Sequence, residues 1–282
     1  MNRPTTSATG TTRPAEPSAR FRDLLAAEWT KLWSLRSTYG SLALIMAAAV
    51  GFSANAALAD HRNWPTYSAD RRALFNPLRD AFPEQAYVFI MLAAASVGAV
   101  TVVGEYATGL IRATFAAVPD RGSVATAKIV VLAGVMMVVG AIAAVTSFGL
   151  SQAILSGRQA GYPVTGPGVL PAIAASTLLV PVCALVGMGL GALLRYGAPA
   201  IVSAAVVLIL VPTAVDDDRR WEAAVNHALP LTAWQHLVDT RPAPVWAPVA
   251  YPATTTGSWT VYVVWPVLAA LVAAIVVRRR DP

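Results

Sequence analysis

The sequence predicts an all-α fold: a polytopic membrane bundle of six transmembrane helices, led by an N-terminal amphipathic interfacial helix. Three observations carry this prediction. Of 282 residues, 56% are hydrophobic and only 13% are charged, about half the charge of an average soluble domain at roughly 25%. Six stretches are apolar over the ~20 residues that a helix needs to cross a hydrocarbon core of about 30 Å. No Asp, Glu, Lys, Arg or His lies at the centre of any of the six. Backbone groups in lipid must be satisfied within their own segment, and the alternating ~10-residue pattern of a barrel is absent, so the spans are helices. Such a composition excludes a soluble enzyme, a disordered protein and a nucleic-acid binder as leading readings. The net charge of +6 is therefore read by the position of the charges rather than as a nucleic-acid footprint.

Residues 1–20 are rich in Ser, Thr, Pro and Ala with scattered Arg and no apolar h-region. They read as a disordered tail, not a cleaved signal. Residues 21–37 place Phe21, Leu24, Leu25, Trp29, Leu32 and Trp33 at steps of three and four, with Asp23, Glu28, Lys31 and Arg36 on other faces. This helix either lies in the interface, Trp rings at headgroup depth and charges in water, or extends the first span into solvent. Residues 38–277 hold the six spans, expected near Thr38–Ala59, Gln85–Gly104, Ile129–Leu155, Val169–Leu194, Ala198–Val215 and Trp259–Val277. Residues 278–282 form a short tail. With the amino terminus inside, 13 of the 21 Lys and Arg and 6 of the 15 Asp and Glu fall on the inner side. Arg278-Arg279-Arg280 is the firmest anchor, so both termini are expected in the cytoplasm.

Between spans two and three, residues 105–128 hold a helical centre, Ala107–Val118, closed by the turn Pro119-Asp120-Arg121-Gly122. Glu105 sits where a helix leaves the membrane, a costly place for an unpaired charge. Arg112, two turns on, either shares its face or belongs to a solvated loop. Spans four and five are joined by the tight hairpin Arg195-Tyr196-Gly197-Ala198-Pro199. Gly187, Gly189 and Gly191 give span four a small-residue face that suits packing within the chain. The external segment 216–258 holds two short helical stretches, Trp221–Ala228 and Thr232–Val238, before the proline-rich Arg241–Pro252. Trp221 and Trp234 lie in stretches too brief to cross. The segment either dips into the outer leaflet under protein cover or forms a plain loop.

The catalytic inventory is nearly empty. An ion-coupled porter needs an ionisable coupling group within its spans, and none is present. His61, His227 and His236 follow no metal-ligand spacing, so no metal site is expected. The one cysteine, Cys183, lies in an apolar run. No Ser–His or Glu-x-x-His pair falls in a span, and no clustered charges suggest a lipid-modifying enzyme. No P-loop precedes Lys31 or Lys128, the only two lysines. An enzyme is not expected, and any ATPase has to be another polypeptide.

Ala27–Thr38 (AEWTKLWSLRST) and Gly104–Thr114 (GEYATGLIRAT), the latter followed by Ala117-Val118-Pro119, resemble segments of the permease subunit of ABC-2 type exporters, in the form common in actinobacteria. The resemblance covers nearly all of the chain beyond residue 20. It implies an ABC-2, type V exporter-like transmembrane domain in the cytoplasmic membrane of a bacterium, moving an amphipathic or hydrophobic substrate outward. It implies a P-loop ATPase partner that binds ATP and Mg, with no cofactor in this chain, and pairing of two permeases as homodimer or heterodimer among membrane lipids. Glu105, Tyr106, Gly109, Arg112 and Thr114 become the residues that couple ATPase closure to the spans. Glu28, Trp29, Lys31, Trp33 and Arg36 become the contacts of the interfacial helix. The resemblance also favours a re-entrant 216–258 carrying Trp221 and Trp234. One departure stands out: where the group often carries a basic or polar residue after Glu-Tyr, this chain has Thr108-Gly109. A non-transporting membrane scaffold or immunity protein is the alternative.

Overall fold

The computed structural model describes residues 20–118, 120–215, 217–239 and 250–279, except the side chains of 277–279. The expected tails, apart from Arg20 and the helical backbone of 278–279, and residues 241–249 of the proline-rich stretch lie outside the described residues. The elements run α1 (Phe21–Ser34), α2 (Arg36–Asn63), α3 (Ala69–Ala73), α4 (Pro77–Ala81), α5 (Glu84–Ala107), α6 (Leu110–Ala117) and α7 (Arg121–Ser156). They continue with α8 (Val169–Leu194), α9 (Gly197–Ala205), α10 (Val211–Ala214), α11 (Arg220–His227), α12 (Pro230–Val238) and α13 (Thr255–Arg279). Helices are the only regular structure among the described residues apart from short turns. Among the described residues, six segments are long and apolar enough to cross a membrane: Arg36–Thr66, Pro77–Ala107, Arg121–Ser156, Val169–Leu194, Gly197–Ala214 and Thr255–Val276. This is a multi-pass membrane protein.

Helix α8 is the hub, packed against α5, α7 and α13. Lipid offers no hydrophobic drive between helices, so close approach rests on small residues and shape. A Cβ on Gly187 would meet the Ala95 carbonyl oxygen at 1.9 Å, and one on Gly98 would meet that of Ala184 at 1.8 Å. Neither helix can carry a side chain there without separating. The glycine face of span four therefore seats α5 inside the chain, while Gly189 on the other side faces Ala269 of α13. Helices α2 and α7 are joined by a reciprocal pair: Ser53 Oγ donates to the Ser147 carbonyl at 3.0 Å, and Ser147 Oγ to that of Ala49 at 2.7 Å. Span five contains a π-helical turn, Val206–Leu210, just before Pro212. Proline lacks the amide that an α-helix would bond there and crowds the carbonyl four residues back, and the wider turn relieves both.

Several boundaries differ from the sequence reading, for local reasons. The interfacial helix ends at Ser34, because Leu35 takes an extended conformation (ψ 115°). Arg36 thus opens α2, and α1 is a separate helix that lies mainly along α7. Span three begins at Arg121, where the Asp120 carboxylate caps the amides of Gly122 and Ser123. Most of 105–128 is consequently helical, with breaks at Thr108-Gly109, Val118 and Asp120. The first loop on the far side folds back as α3 and α4, and Leu78 and Ala81 of α4 are fully buried. Helix α12 enters the bundle against α8 and α13 with Leu231, Trp234 and Leu237 buried. Trp234 stacks on Tyr87 at 4.2 Å and donates from Nε1 to Ser176 Oγ at 3.1 Å. Trp221 does not share that position; it is exposed on α11.

Candidate functional site

Four charged side chains from three helices converge where α1 crosses the ends of α5 and α7. Glu28 and Lys31 come from α1, Glu105 from the last turn of α5 and Lys128 from the second turn of α7. Lys31 Nζ donates to Glu28 Oε1 at 2.7 Å and to Glu105 Oε1 at 2.9 Å. Lys128 Nζ donates to the same Glu105 oxygen at 2.9 Å and to the other oxygen of Glu28, Oε2. The result is a closed ring of alternating charge that uses both lysines of the chain. Glu28 is 5% exposed and Glu105 8%. Buried charges at such depth persist only when paired and hydrogen-bonded, and here each carboxylate meets both ammoniums. Burial alone would lower the Lys31 ammonium's titration point. The hydrogen bonds and charges of Glu28 and Glu105 outweigh it, and Lys31 titrates above its ordinary value.

The sequence reading assigns Glu28 and Lys31 to the water face of α1, and the structure reverses this. Leu24, Glu28 and Leu32 share the buried stripe of α1, four residues apart. What places Glu28 there is a partner one hundred residues away, which helical periodicity cannot register. Glu105 is likewise not paired along its own segment with Arg112. Gly109 adopts φ +69°, in the left-handed region where only glycine sits without strain, and it ends the α5 direction so that α6 starts on a new axis. Arg112 lies on the exposed side of α6 with Leu110 and Ala113, whereas Ile111 is buried. Thr114 turns its hydroxyl back to the Leu110 carbonyl at 3.0 Å and lines the small space behind the Glu105–Lys128 pair.

The neighbouring residues complete a junction. Tyr106 lies beneath Arg195, whose guanidinium carbon is 4.8 Å from the ring centroid, linking α5 to the α8–α9 hairpin. Arg195 holds φ +61° as the cap of α8. Trp33 joins Trp29 and Tyr39 in an aromatic cluster at the α1–α2 bend. Trp29 is half exposed, and Arg36 at the start of α2 is exposed. Leu24, Val124 and Ala127, with Phe115 and Val118 against them, pin α1, α6 and α7 together. Facing the ring is a cavity of about 260 Å³ with largely apolar walls, among them Leu32, Leu35, Val100 and Leu132.

The two segments that carry the family resemblance, 27–38 and 104–114, thus meet at one charge ring. A comparison with protein-family models and with curated proteins finds no match to this chain. Lys128 is the ring member that sequence reasoning leaves out, and Arg195, stacked on Tyr106, is the neighbour it leaves out. The one signal for Lys128 is compositional: a chain of 21 basic residues spends its only two lysines, Lys31 and Lys128, within this ring. No group of three or more His, Cys, Asp or Glu that could hold a metal occurs among the described residues. Chemically, the site is a clamp of matched charges. It locks α1, α5 and α7 into one body and leaves the outer side of α6 uncovered.

Proposed function

We propose that the chain is the permease subunit of an ABC exporter, carrying an amphipathic or hydrophobic substrate outward across a bacterial cytoplasmic membrane with energy from a separately encoded ATPase. The observation that supports this most is the charge ring beneath α6. A motor docking on α6 and α1 needs a surface that does not yield locally, because a displacement absorbed by a soft loop never reaches the spans. Three helices clamped by four matched charges form such a surface, and α6 is joined to them through Ile111 and Phe115. In this reading the ring end faces the cytoplasm, consistent with the excess of Arg and Lys on that side. Closure of two ATPases pushes paired α6 helices, the bundles rock, and a site between two permease copies changes its exposure. The apolar, charge-free span centres suit a lipid-like cargo and suit a small ion poorly. The test is co-expression with a P-loop ATPase from the same genome, a neighbouring gene being the first candidate, and purification in mild detergent. A stoichiometric complex with stimulated ATP hydrolysis is expected. Purification of the chain alone, with no ATPase retained, overturns the reading and leaves a scaffold or immunity protein.

A further inference from the structure

The end of the bundle away from the ring holds a second cavity, of about 490 Å³, into which Asp60 of α2, Arg71 of α3, and Asn76, Arg79 and Asp80 at α4 open. Asp80 is 5% exposed, and its Oδ2 is buried without a hydrogen-bond partner among the described residues. Its carboxyl lies within hydrogen-bonding reach of Asp60. Asp60 in turn accepts from the Tyr67 hydroxyl. That bond, aided by burial, keeps the phenol's proton above its ordinary range.

The surrounding cations are engaged elsewhere. The Arg71 guanidinium sits 4.0 Å above the Tyr67 ring, and Arg79 donates to Asp239 Oδ2 at 2.8 Å. On the α7 side, His61 Nδ1 lies 2.9 Å from the Ile154 carbonyl, and Arg158 bonds the His61 carbonyl at 3.2 Å. No ion pair reaches Asp80 among the described residues. Two carboxylates side by side in a low-dielectric site cannot both ionise.

We propose that the Asp60–Asp80 pair is a proton-binding site, in which one proton taken from the cavity onto Asp80 seats α4 against α2. Loss of that proton sets two carboxylates against each other and lifts α4. The consequence reaches α12, because Asn76 and Arg79, both at α4, hold Asp239 at the α12 end. The site stands independently of the permease reading.

Infrared titration of the purified chain in lipid nanodiscs tests it, with amide exchange measured over the same pH range. A neutral-carboxyl band that disappears on alkalinisation is expected, and Asp80→Asn removes it. Corrected for the intrinsic rise of amide exchange with pH, protection in α4 and α12 falls with pH in the wild type and stays level in Asp80→Asn. A wild type with no titrating carboxyl band overturns the proposal, as does an unchanged exchange profile in the variant. So does protection restored at alkaline pH by magnesium or calcium ions alone, which makes the pair a metal site. Should Asp80→Asn fail to insert, Asp60→Asn serves: without its charged neighbour, Asp80 loses its proton at lower pH, and an unshifted transition rejects the pairing.

Discussion

The two ends of this bundle solve the same problem differently. At one end, two carboxylates and two ammoniums are buried together and every charge meets two partners of opposite sign. At the other, carboxyls abut each other and the nearby arginines are committed to Tyr67 and Asp239. A matched set costs desolvation once and then resists change, because removing any member strands the others. An unmatched pair answers to the proton supply. The contrast teaches that charge near a membrane boundary serves as a clamp where it is balanced and as a sensor where it is not.

The largest expected effect comes from breaking the balance. Lys128→Met leaves Glu28 with one partner fewer and Glu105 with Lys31 alone, and should destabilise the fold by about 3–5 kcal/mol. Chemical denaturation in micelles measures it. Adding Glu105→Leu to Lys128→Met removes the stranded carboxylate and keeps the Glu28–Lys31 pair. The double variant should therefore lie closer to the wild type than Lys128→Met does, a coupling that a double-mutant cycle reads directly. Additive losses would mean that the four charges do not act as a set.

A smaller effect sharpens the comparison by pH. Lys31 titrates above its ordinary value of 10.5 because Glu28 and Glu105 outweigh its burial. A base with a raised folded value stabilises fully below its unfolded value and loses that contribution as pH rises through the folded one. The ring should hold up to about pH 10.5 and weaken only above it. Melting temperature measured from about pH 9 to 12 should fall in the upper part of that range, and Lys31→Arg, whose guanidinium keeps its proton, should flatten the fall. A wild-type profile level across the range would place Lys31 outside the stabilising set.

What could be read beforehand follows from the range of each signal. Hydropathy is summed over a window, so six spans were legible and the glycine face of span four pointed correctly to packing within the chain. The short helices were legible where apolar residues recur, as around Leu231 and Trp234. The five-residue helices α3 and α4 are too short for a hydropathy window to register. The site was half legible: Glu105 stood out as a charge in a costly place, but its partners Lys31 and Lys128 are 74 and 23 residues away. Spacing along a helix sees neighbours three, four or seven apart, so it offered Arg112 instead. Glu28 was misplaced for the same reason, since amphipathicity treats every charge as solvent-facing.

Arg112 itself gives the smallest effect on the fold and the most pointed one on function. It lies exposed on α6, outside the ring and outside the Leu24–Val124–Ala127 cluster. Substitution at such a position changes stability by no more than about 0.5 kcal/mol, so Arg112→Glu should melt with the wild type. In the permease reading the same change reverses a charge on the surface that meets the motor. Retention of the ATPase on purification should fall severalfold, and transport should fall with it, while insertion and melting stay unchanged. Variation at the ring cannot separate these quantities, because Glu105 and Lys128 support the fold and the transmission together. If Arg112→Glu retains the ATPase fully, the docking surface lies on another part of the ring end, with the exposed Trp29 side of α1 as the next face to alter.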